Sequence, residues 1–139
     1  MTSGRGGVVA VVAFIAVVAA VVAAGFLLVG SPAAARRERL DERRVTDLEQ
    51  VSRAVNVYWT RRDRLPDTLV VLAAEPGLGA LPTDPDTGVA YEYRTTGSRA
   101  YELCATFAGT SNRSVRSPLD FWAHGAGRQC FSLEAVAVR

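Results

Sequence analysis

The chain has 139 residues, a formal net charge of +2, sixteen arginines and no lysine. So small a net charge provides no broad basic surface for a phosphate backbone, which argues against a nucleic-acid binder. Beyond the first thirty residues about 109 remain, room for one domain with a thin core, so a crosslink or a partner carries weight in its stability.

Residues 1–7 form a short tail. Val8 to Val29 then runs VVAVVAFIAVVAAVVAAGFLLV without a charge. As a helix it spans roughly 33 Å, close to the hydrocarbon thickness of a bilayer. The run exceeds the apolar stretch of a cleaved signal peptide, although Ala33 to Ala35 would suit a signal peptidase. The reading is a retained single-pass anchor over residues 8–30, with lipid contacted through residues 8–29. Arginines crowd the C-terminal flank (Arg36, Arg37, Arg39, Arg43 and Arg44), and by the positive-inside rule they favour a cytoplasmic domain. The cysteines argue the other way.

Gly30-Ser31-Pro32 reads as a joint, with Ser31 capping a helix whose first residue is Pro32. Nothing breaks a helix from Ala33 to Arg62. Apolar residues at Leu40, Leu48, Val51, Val55 and Tyr58 recur at spacings of three and four. The juxtamembrane helix over 31–64 is therefore expected to be polar all round at first, with an apolar face from about Val45 that covers a sheet. Pro66 ends it. Asp67 is the expected cap of a short helix through Ala73, which Pro76-Gly77 stops.

The remainder, 65–139, reads as a small α+β domain. Leu81 to Gly88 is a dense turn signal. Val89, Tyr91 and Tyr93 alternate with polar residues, as do Tyr101, Leu103, Ala105 and Phe107. Thr96-Gly97-Ser98 joins the two as an antiparallel hairpin. A third strand is expected at Gln129 to Leu133, with Thr110 to Pro118 a polar loop pinned to the core by Phe121-Trp122. Phe131, Leu133 and Val136 suggest that part of the tail packs. Cys104 and Cys130 fall on neighbouring strands and can be bridged. A loop of about 25 residues closed this way gains roughly 3–4 kcal/mol. A disulfide implies an oxidising compartment and an extracytoplasmic domain; two unpaired buried cysteines are the alternative, and the conflict with the arginine flank stays open.

The succession of an apolar helix, an amphipathic helix ending in Val55, Tyr58 and Trp59, then Leu65-Pro66, Leu81-Pro82-Thr83-Asp84-Pro85, Gly88 and Tyr91-Glu92-Tyr93 resembles the pseudopilin fold of type II secretion systems, above all the major pseudopilin. The resemblance covers roughly residues 8–107. It implies an N-terminal helix packed on a small antiparallel sheet. The tail from Trp122 to Phe131 lies outside it and looks like a group of uncharacterised bacterial membrane-anchored proteins. Gly7 is followed by Val8, and no acid interrupts the apolar run, so the prepilin cleavage motif is absent. The resemblance therefore extends to the fold and not to processing.

Among possible sites, Asp84 and Asp86 flank a tight turn. Some major pseudopilins bind calcium in the neighbouring loop, but two carboxylates fall short of the six to eight oxygens calcium takes, and Asx-type turn capping accounts for both. His124 is the only histidine. A Cys–His nucleophilic pair is conceivable only if the cysteines are free. Trp122, His124 and Arg128 are carried as residues with a structural or functional role. Glu92 and Glu102 could face each other, with Arg94 as the simpler cross-strand partner. Asn112-Arg113-Ser114 matches a glycosylation sequon. No cofactor is implied. The expected function is a non-enzymatic, membrane-anchored structural or protein-interaction module with an unidentified protein partner. The alternatives are an accessory or sensor subunit of a larger membrane complex and a small hydrolase or redox enzyme using His124.

Overall fold

The computed structural model describes residues 3–29, 31–111 and 121–138. The chain divides into two compact units, residues 1–36 and 37–139. The first contains helix α1, Ser3–Val29, whose described side chains, from Gly6 to Gly25, are all exposed. The stretch Gly6–Gly25 is long and apolar enough to cross a membrane. Helix α2, Pro32–Arg62, follows. Its first turn is capped as expected, with the Ala34 N–H donating to Ser31 Oγ at 3.2 Å. It ends at Arg62, and Asp63 takes a left-handed backbone, φ 51°.

The second unit is an α+β domain. A three-stranded antiparallel sheet of order β1-β2-β3 comprises β1, Glu92–Thr95, β2, Ala100–Phe107, and β3, Gly127–Glu134. A short helix α3, Leu69–Ala73, lies between α2 and the sheet in sequence. The apolar stripe of α2 buries Val45, Leu48, Val51, Val55 and Tyr58 in one core with Tyr101, Leu103, Ala105 and Phe107 of β2 and Phe131 of β3. The odd-numbered residues of β2 and β3 face this core because successive side chains alternate across a strand. The opposite face carries Glu92, Arg94, Glu102, Thr106, Arg128 and Ser132, with Arg94 pairing directly with Glu102 across the hairpin.

Several expectations change. Burial along α2 begins not at Val45 but at Asp41 and Arg44, two charged residues within the segment read as polar all round. They are buried because a turn from the second half of the chain packs on them. Helix α3 is capped by Thr68, whose Oγ1 accepts the Val71 N–H, and not by Asp67. Strand β1 starts at Glu92; Val89 stays outside it, 65% exposed. On its other edge this stretch closes the 84–89 turn: the Asp84 N–H donates to the Val89 carbonyl at 2.9 Å, and Ala90 bridges Thr83. Gly88, at φ +70°, makes the turn possible. Val136 is 56% exposed, so its side chain does not pack. The tail is held by its backbone: the Val136 and Val138 N–H groups donate to Asn56 Oδ1 and Thr60 Oγ1 on α2.

Candidate functional site

The buried Arg44 organises the end of the domain where α2 meets the 84–89 turn. Its Nε donates to Asp84 Oδ2 at 2.6 Å and Nη2 to Asp84 Oδ1 at 3.2 Å, while Nη1 reaches Asp41 at 2.8 Å. Asp84 Oδ1 also accepts the backbone N–H groups of Asp86 and Thr87, an Asx turn. The guanidinium hydrogen bond, opposed by desolvation and aided by those backbone donors, lowers the Asp84 carboxyl to a pKa of about 2. The same bond raises the Arg44 pKa. Asp41, one turn back, accepts the N–H groups of Ala108 and Gly109 and so ties the end of β2 to α2. Beside this clamp the Tyr91 hydroxyl donates to Asp47 at 2.8 Å; burial, more than the carboxylate, raises the tyrosine pKa.

Of the two aspartates weighed as calcium ligands, Asp84 has both oxygens engaged by Arg44 and by backbone donors. Asp86 is exposed, 4.0 Å from the same guanidinium. A fixed cation from the chain itself thus occupies the place in which a metal would be sought. Nothing in the residue types from 36 to 44 distinguishes Arg44 from its four neighbours; only its phase on the α2 stripe, four residues before Leu48, hinted that it points inward.

A groove of about 440 Å³ opens over this clamp. Arg37 and Leu40 of α2, Thr87 and Val89 of the turn, and the last residues of β2 line it.

His124 is buried, its ring stacked on Phe107 with centroids 3.7 Å apart. Nδ1 lies 3.2 Å from the Gly109 carbonyl oxygen and 3.3 Å from that of Gly125. The backbone of His124 exchanges hydrogen bonds with Ser111: its N–H donates to Ser111 Oγ and its carbonyl accepts the Ser111 N–H. These contacts close the loop between β2 and β3 at its base. Trp122 packs on Phe131 at 4.8 Å, and Phe121 lies edge-on to Trp122 but remains 49% exposed. Asp120, the acid that a hydrolase using His124 would pair with it, and the 112–114 sequon lie outside the described residues.

Cys104 and Cys130 are disulfide-bonded, directly opposite each other on β2 and β3. Neither thiol is free, so His124 has no cysteine nucleophile to activate. Arg128 lies over the bridge: its Nη2 is 3.5 Å from Cys104 Sγ, and its guanidinium pairs with Glu92, lowering that carboxyl's pKa. Glu92 thus pairs with Arg128, while Arg94 takes Glu102. Glu102 and the two sulfurs lie within 4.8 Å of one another. Cysteine binds metal as thiolate, and neither sulfur is a thiolate in the disulfide. No protein-family model, no curated protein and no solved structure matches the chain.

Proposed function

We propose that the chain is a single-pass membrane protein whose extracytoplasmic, pseudopilin-like domain is a structural or protein-interaction module and not an enzyme. One observation carries this reading. Of the polar side chains with the most elaborate surroundings, Asp41, Asp84 and His124 are spent on holding backbone in place, and Arg44 on holding the two aspartates. A catalytic base or nucleophile needs a proton-accepting atom turned to a substrate, and the oxygens of Asp41 and Asp84 are engaged by Arg44 and by backbone donors. The disulfide supports the oxidising side of the membrane. The helix-on-sheet arrangement is a small α+β domain, the general architecture that the resemblance implies.

The test is the intact mass of the protein isolated from native membranes, with thiol alkylation before and after reduction. A full-length mass that takes up no label until reduced fits the retained anchor and the external domain. Two readily labelled thiols in cells would overturn the topology and return weight to the basic flank at Arg36 to Arg44. Crosslinking in the same membranes would then separate a module with one discrete protein partner from an accessory subunit that co-purifies with a set of membrane subunits.

A further inference from the structure

The two sulfurs of the bridge stand in different surroundings. Cys104 belongs to β2, the middle strand, and is 4% exposed; Cys130 belongs to β3, an outer strand, and is exposed. Glu92 of β1 lies opposite Cys104 in register. Its carboxylate holds the Arg128 guanidinium, which reaches Cys104 Sγ with Nη2 at 3.5 Å. The Glu92–Arg128 pair thus covers one sulfur and leaves the other open. Two further charges face the bridge. The Glu102 carboxylate lies within 4.8 Å of both sulfurs and is paired with Arg94, so it bears on the two alike. What distinguishes Cys104 is Arg128. Thiol–disulfide exchange reads such a difference, because the attacking thiolate, the sulfur attacked and the sulfur expelled lie on one line, and the more stable thiolate leaves faster. Attack on Cys104 has to come from the β1 side, through the Glu92–Arg128 pair. Attack on Cys130 comes from the β3 side, beyond which the sheet has no further described strand. A cation beside a thiol lowers its pKa, so Cys104 is also the better leaving group.

We propose that the bridge is a thiol-exchange site for a partner dithiol, opened at Cys130 with Cys104 as the sulfur expelled. The partner's thiolate bonds to Cys130 Sγ, the Sγ–Sγ bond breaks, and its electron pair leaves on Cys104 beside the Arg128 guanidinium. The partner's second thiolate then attacks its own first sulfur and expels Cys130. Cys104 and Cys130 take up two protons, matching the two that the partner thiols give up. Two electrons pass to the bridge, which becomes two thiols, and the partner is oxidised to a disulfide. Run backwards, the same steps let a partner disulfide install the bridge, with the Cys130 thiolate as the attacking group. Opening it leaves the β2–β3 ladder and the packing of α2 to hold the strands together. This activity goes beyond the interaction module proposed above, and its test uses neither topology nor family resemblance, so the two fail separately.

The test uses the full-length wild-type chain in detergent micelles, with reduced glutathione as a monothiol probe. The reaction is stopped with excess N-ethylmaleimide, and the adducts are located by peptide mass mapping. Glutathione is expected on Cys130 and maleimide on Cys104, in roughly tenfold excess over the reverse pairing. Equal amounts of the two, the mark of a bridge reached only by unfolding, overturn the proposal. So does an excess of glutathione on Cys104, or a folded chain that forms no adduct under conditions in which the urea-unfolded chain does. Arg128→Gln is expected to slow opening by dithiothreitol about threefold to tenfold. It should also raise the pH at which Cys104 of the reduced chain takes up iodoacetamide, while Arg128→Lys keeps most of both properties. An Arg128 that merely braced the sheet would give faster opening on its loss; opening that is faster or unchanged in Arg128→Gln overturns Cys104 as the leaving sulfur and the proposal with it.

Discussion

Arg44 and Asp84, forty residues apart in sequence, meet in a two-pronged ion pair whose side chains are only 6% and 13% exposed. The pair joins the N-terminal half of α2 to the turn that precedes the sheet. Removing one partner leaves the other buried without its charge, which costs about 3–5 kcal/mol for a buried pair. Arg44→Met leaves both Asp41 and Asp84 uncompensated and is expected to lose that amount in urea unfolding of the full chain in micelles. Arg44→Lys recovers little of it, because an ammonium cannot reproduce the planar fork.

The same pair makes stability depend on acid. The Asp84 carboxyl sits at about 2 in the fold, against an ordinary value near 4. Its stabilisation, roughly 2–3 kcal/mol at neutral pH, is complete above the unfolded value and is lost as pH falls from about 4 through about 2. Melting temperatures of wild type and Asp84→Asn, measured from pH 6 to pH 2, should converge over that window. Parallel curves would show that Asp84 does not titrate as the pair requires.

The bridge between Cys104 and Cys130 closes a segment of sequence separation 26. In the chain-entropy account, opening it costs about 3.5 kcal/mol. Unfolding with and without a thiol reductant should differ by about that much, and Cys104→Ala with Cys130→Ala should match the reduced protein.

Two tyrosines of neighbouring position should respond oppositely to loss of the hydroxyl. Tyr93 Oη is buried without a hydrogen-bond partner, and burial raises its pKa. Tyr93→Phe is expected to be neutral or to stabilise by up to about 1 kcal/mol. The Tyr91 hydroxyl satisfies the buried Asp47, so Tyr91→Phe should cost about 1.5–3 kcal/mol. Denaturation midpoints of the two variants decide the matter directly.

His124 is expected to act through packing. His124→Ala removes the stack on Phe107 and the ring's contact with the Gly109 carbonyl, costing roughly 2 kcal/mol. The effect should appear as faster amide exchange in residues 107–111. A His124→Gln variant that restores those amides would mark the ring nitrogen, not the stack, as the part that matters.

By itself, the sequence determined whatever depends on near neighbours along the chain. An uninterrupted apolar run defines a helix long enough to cross a membrane, because length and hydropathy need no partner. The spacing of Leu48, Val51, Val55 and Tyr58 defines the buried face of α2, and the alternation from Tyr101 to Phe107 defines the core face of β2, because each periodicity belongs to its own element. Even the cysteine pairing was accessible once two strands were placed side by side. What only the tertiary structure decided turns on distant backbone. Arg44 stands in a run of charge, and Asp84 lies forty residues on; no local pattern announces that one is buried to hold the other. That clamp holds the 84–89 turn, and β1 begins only after it, at Glu92. The turn before that strand is held by a guanidinium on another element, a contact between distant residues that no local periodicity records.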